Sequence, residues 1–168
     1  MSRESRYYRA HGIVLRTYKL GEADRIVVLL TAERGMVRAV AKGVRKTRSK
    51  FGSRLEPMSH VALQLHEGRS DLHLVTQVES IDHFRPIRED LDRLAKGMSM
   101  LEAVDQVALP DEPVPELYRM LLGALRTLAA NDTELVTAGF VLKLLTREGA
   151  RPLVEIGVPG GASEPVVA

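Results

Sequence analysis

The first half of the chain alternates short apolar runs with turn residues. The segments HGIVLRTYKL and DRIVVLLTAERG flank residues 21–24 and predict a β-hairpin, and MVRAVAKG predicts a third strand after Gly35. Two more strands are predicted in SHVALQLHEG and DLHLVTQVESI, with a turn at EGRSD between them. Five strands in about 80 residues predict a small closed or nearly closed barrel, because five strands make a poor two-sheet sandwich.

Alternation along two of these strands groups the residues that share a face. These are Val37, Ala39 and Ala41 on the third strand, alternating with Arg38, Val40 and Lys42, and Val61, Leu63 and Leu65 on the fourth.

After Pro86 the apolar period becomes helical. The first helix is predicted to carry an apolar stripe and to end before Pro110, and the second to begin at Pro115. The third is predicted to use Asn131 as its N-cap, with Glu134 reaching back, and to stop at Gly149. The predicted stripes are Leu91, Leu94, Met98 and Leu101 on the first helix and Leu117, Leu121, Ala124 and Leu128 on the second.

These patterns predict an α+β fold, a β-barrel plus helices, in which an antiparallel helical bundle packs on or beside the barrel. The predicted parts are a barrel at residues 1–84, a helical domain at 85–152 and a disordered tail at 153–168, which is rich in proline and glycine.

Composition narrows the class of protein. The absence of cysteine excludes disulfides, thiolate-bound zinc, iron–sulfur clusters and a cysteine nucleophile. No run approaches the roughly 20 apolar residues of a membrane span, and MSRESRYYRA lacks the apolar region of a secretory signal. We therefore expect a cytoplasmic protein without membrane contacts.

Charge is divided unevenly between the two halves. Residues 1–85 carry 16 lysines and arginines against 9 acidic residues, a net charge of +7, whereas residues 86–168 carry 8 against 13, a net charge of −5. This asymmetry indicates that the first half meets an anionic partner.

Catalytic and metal-binding patterns are weak. His60, His66 and His73 fall on neighbouring strands or turns, and Asp71 lies two residues before His73, but the spacing also fits unligated surface histidines. There is no phosphate-binding loop, dinucleotide fingerprint or nucleophile elbow. The sequence predicts no metal, no cofactor and no enzyme.

The segment AKGVRKTRSKFGSRLEP is the strongest candidate site. It holds six lysines and arginines between Lys42 and Arg54, no acidic residue and one aromatic residue, Phe51. A solvated loop is the plain interpretation, but a basic loop at the edge of a small barrel is typical of nucleic-acid binding. Phe51 either stacks on a base or anchors the loop in the end of the barrel.

The segments GEADRIV, ERG, AKGVR and FGSRLEP also identify a family. From Gly12 to about Phe84 the chain resembles the N-terminal domain of the bacterial recombination mediator RecO family, and a weaker likeness continues to FVLKLLTREGARP. The resemblance implies an OB-fold followed by a helical domain. It also implies binding of single- and double-stranded DNA, strand annealing and recombinase loading on the bacterial nucleoid.

The implied partners are RecR and the acidic C-terminal tail of single-strand-binding protein. The residues implied to bind DNA are Arg38, Lys42, Arg45, Lys46, Arg48, Lys50 and Arg54, together with Phe51 if it stacks.

The chain departs from the family after LLTREGARPL. Many relatives continue with a four-cysteine zinc module and further helices, whereas this chain reads VEIGVPGGASEPVVA. We therefore expect no zinc, and we expect the wide apolar arc of the third helix to remain partly uncovered. Phe140 and Leu144 on that arc are the predicted contacts for a protein partner or for a homodimer.

Two alternatives remain open at this point. A protein-interaction adaptor of the same family would have lost effective annealing together with its shortened C-terminus. An RNA-binding OB protein would explain the charge equally well, but not the string of family motifs.

Overall fold

A computed structural model describes residues 6–45 and 51–148 of the chain. Its first part is a closed five-stranded barrel with the strand order β1-β2-β3-β5-β4, in which every pairing is antiparallel except that of β3 with β5. The strands are β1 (Tyr7–Leu20), β2 (Asp24–Thr31), β3 (Gly35–Ala41), β4 (His60–His66) and β5 (Leu72–Asp82). The predicted barrel is confirmed, and it is OB-like.

Closure depends on the length and bend of β1. Its first half pairs with β4 and its second half with β2, and a bulge lies between Val14 and Arg16 where the strand changes partner. The predicted hairpin is confirmed by the pairing of Leu20 with Asp24. The two predicted faces are also confirmed, because the residues grouped on β3 and β4 by alternation are buried.

Four helices follow the barrel: α1 (Arg85–Arg88), α2 (Leu91–Val107), α3 (Pro115–Ala130) and α4 (Glu134–Glu148). Helices α2 and α3 pack directly on the outside of the barrel, so the fold has two apolar clusters. One fills the barrel interior, and the other joins outward-facing strand residues such as Ile13, Val28 and Leu30 to the helices. Burial on both faces explains why β2 is almost continuously apolar and why the middle of β1, from Gly12 to Leu15, is buried without interruption.

The predicted stripe on α2 is confirmed for Leu94 and Leu101, which belong to or pack against the core, and wrong for Leu91 and Met98. Leu91 is 80% exposed and Met98 is 40% exposed, whereas Gly97, Met100 and Val104 are buried. Gly97 faces Met58 closely: a Cβ at this position would lie 2.6 Å from Met58 Cε, so a larger residue would require the Met58 side chain to move.

The α3 prediction is confirmed, but the cap of α4 is not. Pro115 opens α3, and Leu117, Leu121 and Leu128 are buried on its inner face. Asn131, predicted to cap α4, instead follows the last turn of α3, where its N–H donates to the Thr127 carbonyl.

The expectation that Phe140 and Leu144 remain uncovered is wrong. They are only 3% and 4% exposed and belong to the apolar cluster shared by the barrel and the helices. Other residues of the same chain cover most of both side chains, although Phe140 still lines part of a cleft between α3 and α4. Their predicted contact with a partner or a second copy stays a prediction. The exposed apolar residues of α4 are Leu135, Val141 and Leu142.

The barrel and the helices are joined by polar contacts as well as by the shared core. Backbone bonds connect Met36 to Leu109 and Asp111, and the buried pair of His60 on β4 and Tyr118 on α3 lies within the interface. Among the described helices, none combines the length and the apolar character needed to cross a membrane. The domain bounds stay predictions, and the tail at 153–168 lies outside the described residues.

Candidate nucleic-acid interface

The upstream part of the basic loop is fixed beside the β1–β2 turn. The Arg45 backbone N–H donates to the Ala23 carbonyl at 2.9 Å, and the Gly43 N–H donates to Asp24 Oδ1 at 2.8 Å. The Arg45 guanidinium also donates to the Gly21 carbonyl at 2.8 Å. These bonds place the start of the loop and the hairpin turn at the same end of the barrel.

Basic side chains from the strands converge on this end. Lys19 and Arg25 are paired in the hairpin and, with Arg45, line a cleft of about 530 Å³. Glu56 also lines the cleft, and Arg25 donates to Thr17 Oγ1 at 3.2 Å. We call Lys19, Arg25, Lys42 and Arg45 the basic barrel end.

The cations of the basic barrel end are not neutralised by neighbouring acids. In residues 6–45 and 51–148, none of these four side chains has a carboxylate oxygen within 4.0 Å. Arg34 differs, because it contacts Glu67 at 3.2 Å and Asp111 at 3.8 Å. Positive charge without a carboxylate partner is available to phosphates.

The structure brings together only part of the predicted site. Lys42 and Arg45 lie at the basic barrel end, Arg38 lies on the outer face of β3 and Arg54 is exposed on the 3₁₀ turn at Gly52–Leu55. Lys46, Arg48 and Lys50 lie outside the described residues.

The stacking role predicted for Phe51 is wrong. Its side chain is 2% exposed and belongs to the apolar cluster inside the barrel, together with Leu55 from the following turn. The ring anchors the downstream end of the loop and is not available to a base.

Sequence reasoning missed Lys19. The hairpin register could have identified Lys19, since Lys19 and Arg25 pair directly one step from the turn. Arg34 follows β2 at the opposite end of the barrel, where its guanidinium covers the Tyr8 ring at 4.4 Å and pairs with Glu67. These contacts make Arg34 structural.

Arg88 on α1 holds the chain segment that follows the loop. Its guanidinium donates to the Pro57 and His83 carbonyls, each at 2.6 Å, and to Ser59 Oγ at 3.0 Å. Burial lowers the pKa of Arg88, and Glu56 at 3.5 Å acts in the opposite direction. The loop is therefore anchored by the hairpin turn upstream and by the helical part downstream.

The histidines considered as metal ligands lie in separate environments. His60 contacts Tyr118, His66 contacts the Tyr7 ring and His73 Nδ1 contacts the Tyr8 hydroxyl. Burial lowers the pKa of His60 to about 4 and also lowers the pKa of His73. No group of three or more His, Asp or Glu side chains within the described ranges is arranged to hold a metal ion.

A second surface feature lies between α3 and α4. Two clefts of about 370 and 780 Å³ share Arg119, Met120 and Lys143. The groove has an apolar floor, which includes Met120, Ala124, Leu135, Phe140 and Leu142. Its rim carries three basic residues, Arg119, Lys143 and Arg147, and one acidic residue, Glu116.

Comparison with known proteins agrees with this architecture. The family model of the N-terminal part of recombination protein O matches residues 1–84, and that of its C-terminal part matches residues 88–164. This chain belongs to the recombination protein O (RecO) family.

The DNA repair protein RecO of Thermobifida fusca (strain YX) is 47% identical over 161 residues, which cover 91% of this chain and 66% of that protein. This RecO-family chain thus spans about two thirds of the length of the relative. Family membership supports a role in DNA repair and recombination.

Proposed function

We propose that this chain binds single- and double-stranded DNA at the basic barrel end and acts as a recombination mediator. The observation that carries the proposal is the convergence of Lys19, Arg25, Lys42 and Arg45 at one end of an OB-like barrel, where no carboxylate oxygen of the described residues lies within 4.0 Å of them. Lysine and arginine contacts to phosphates release condensed counterions, which gives affinity with little dependence on base sequence.

In the proposed role the protein anneals complementary strands and, with RecR, helps to load recombinase on the bacterial nucleoid. Annealing requires the repulsion between two phosphate backbones to be reduced, and a basic surface does so without a chemical step. We propose that the protein works without a cofactor and without enzymatic activity.

The groove between α3 and α4 supports a proposed contact with the acidic tail of single-strand-binding protein. Arg119, Lys143 and Arg147 would face the acidic residues, and the apolar floor would receive apolar side chains. This contact also fits the alternative function, an adaptor that docks protein partners without annealing DNA effectively.

A titration with fluorescent oligonucleotides at several salt concentrations tests the DNA-binding proposal. Replacement of Lys42 and Arg45 by alanine is expected to weaken binding of all sequences. It should also reduce the salt slope by about 0.7 for each phosphate of a single strand that the variant no longer neutralises. The charge-matched control replaces Arg69 and Arg126, two exposed arginines away from the basic barrel end. Equal affinity for the two double variants at low salt would contradict the proposed site and favour the adaptor.

A further inference from the structure

An aromatic side chain lies between two arginines on the outer surface of the barrel. Tyr18 on β1 is half-buried and packs against the core shared with the helices. Arg38 on β3 reaches across β2 and donates to the Tyr18 hydroxyl at 2.9 Å. The guanidinium carbon of Arg16 lies 5.5 Å from the centroid of the Tyr18 ring. These contacts give the ring a defined orientation, and part of the side chain remains exposed.

The two arginines differ in how their charge is balanced. Arg16 Nε donates to Asp105 of α2 at 2.7 Å, so the helical part neutralises this cation. Arg38 is half-buried and bonds to a neutral hydroxyl, and no carboxylate of the described residues lies within 4.0 Å of it. An arginine placed in this way orients the ring, and its positive charge remains available to bind an external phosphate.

Tyr18 also lies close to the basic barrel end. It is two residues from Leu20, the last residue of β1, a separation of about 7 Å along a strand. Lys19 and Arg45 line the cleft at that end. Lys19 follows Tyr18 directly and points to the other face of β1, so a single strand that contacts the basic barrel end would reach the Tyr18 ring by passing over the edge of the barrel.

We propose that Tyr18 stacks on one base of the bound single strand while Arg38 contacts a neighbouring phosphate. This inference rests on the proposed DNA binding and adds a base-contacting residue to a site otherwise made of charge. Stacking on an aromatic ring tolerates every base, which suits a protein that must act on any sequence. Duplex DNA keeps its bases stacked within the helix, so Tyr18 would favour single strands.

Tyr7 provides a matched control on the same strand. It is 53% exposed, but it lies at the other end of β1, where it pairs with His66 and contacts the His66 ring. Replacement of either tyrosine by leucine removes the aromatic ring and leaves an apolar side chain. Tyr18→Phe keeps the ring and removes only the bond to Arg38.

The experiment compares the affinities of the whole protein for oligothymidine and for an abasic oligonucleotide of the same length, at one salt concentration. The wild type is expected to prefer oligothymidine about tenfold, which corresponds to one stacked base. Tyr18→Leu is expected to lose most of this preference while binding the abasic strand as the wild type does. Tyr18→Phe and Tyr7→Leu are expected to retain it.

Three results distinguish this inference from the proposed function. An unchanged preference in Tyr18→Leu, or an equal loss in Tyr7→Leu, overturns the stacking role and leaves charge-driven binding intact. Failure of the wild type to bind either strand overturns both. If Tyr18→Leu does not fold, the wild type is photo-crosslinked to an oligonucleotide that contains 5-iodouracil. Stacking predicts an adduct at Tyr18, and adducts confined to other residues overturn the inference.

Discussion

Gly35 is a single residue at which the barrel closely contacts the segment before α3. Its backbone has a φ of +70°, and a Cβ at this position would lie 2.1 Å from the Glu112 carbonyl oxygen. Gly35→Ala is therefore expected to lower the free energy of unfolding by about 2 kcal/mol or more, because the clash is with backbone that cannot rotate away. Denaturant unfolding measures the change.

Gly21 supplies the control for this substitution. It also has a positive φ, of +63°, but nothing lies within 4 Å of the position of its Cβ. Gly21→Ala is expected to cost only about 1 kcal/mol, the cost of the left-handed conformation. Similar losses for the two variants would show that the contact with Glu112 does not matter.

His60 gives the stability a dependence on pH. Burial, reinforced by Arg126, lowers its pKa from the ordinary value of 6.5 to about 4, so the folded state binds fewer protons than the unfolded chain between these pH values. Stability from this residue is complete above pH 6.5 and declines as the pH falls toward 4, by at most about 3 kcal/mol. His60→Gln should flatten the measured profile of unfolding free energy, and an NMR titration that protonates His60 near pH 6.5 would contradict this account.

The short helix α1 contains two arginines, one of which is half-buried by its contacts and the other exposed, so their replacement is expected to have different effects on stability. Arg88 donates to two carbonyls and to Ser59, whereas the side chain of Arg85 is 82% exposed and pairs with Glu89. Arg88→Met is expected to lower stability by about 2 kcal/mol, because buried acceptors lose their donor. Hydrogen exchange at residues 55–59 should become faster.

Arg85→Met is the control, expected to change stability by less than about 0.5 kcal/mol, as for exposed helix pairs. If Arg88→Met leaves exchange at residues 55–59 unchanged, the segment after the loop is held by other contacts.

The elements themselves were largely predictable from sequence, because each has a local cause. Alternation indicated the faces of β3 and β4, and Pro115 marked the start of α3. The orientation of α2 was not predictable, since it depends on the approach of Gly97 to Met58, which is far away in sequence. Two apolar clusters on opposite faces of β2 and of the middle of β1 also leave no polar alternation there that would show which residues face the helices.

The candidate site was predictable in its charge but not in its geometry. Six basic residues identify the loop, yet sequence spacing cannot show that Phe51 turns into the barrel or that Tyr18 lies beside Arg38. Both facts depend on which strands become neighbours. The same reason explains Phe140 and Leu144, whose burial depends on the packing of α4 against the other helices.

In the whole molecule, the uneven division of charge along the sequence corresponds to the division between the barrel and the helices. The net charge of +7 in residues 1–85 is concentrated by the barrel, while the net charge of −5 in residues 86–168 belongs to the helical part and the remainder of the chain. Acidic residues of the helices neutralise cations near the interface, as Asp105 does for Arg16. The cations without carboxylate partners at the basic barrel end are thereby left facing solvent at one pole of the barrel.

This polarity leads to an expectation for the proposed annealing activity. A cluster of cations that lowers the repulsion between two backbones should accelerate annealing of complementary oligonucleotides, and the rate should fall as salt screens the charge. No step in this process breaks a bond, so neither nucleotide nor divalent metal should be needed.

Fluorescence quenching between labelled strands, with and without ATP and with a chelator present, measures the rate. The double replacement of Lys42 and Arg45 should remove most of the acceleration, while that of Arg69 and Arg126 should not. Annealing that depends on ATP, or that stops with the chelator, would mean that the positive charge of the barrel is not what brings the strands together.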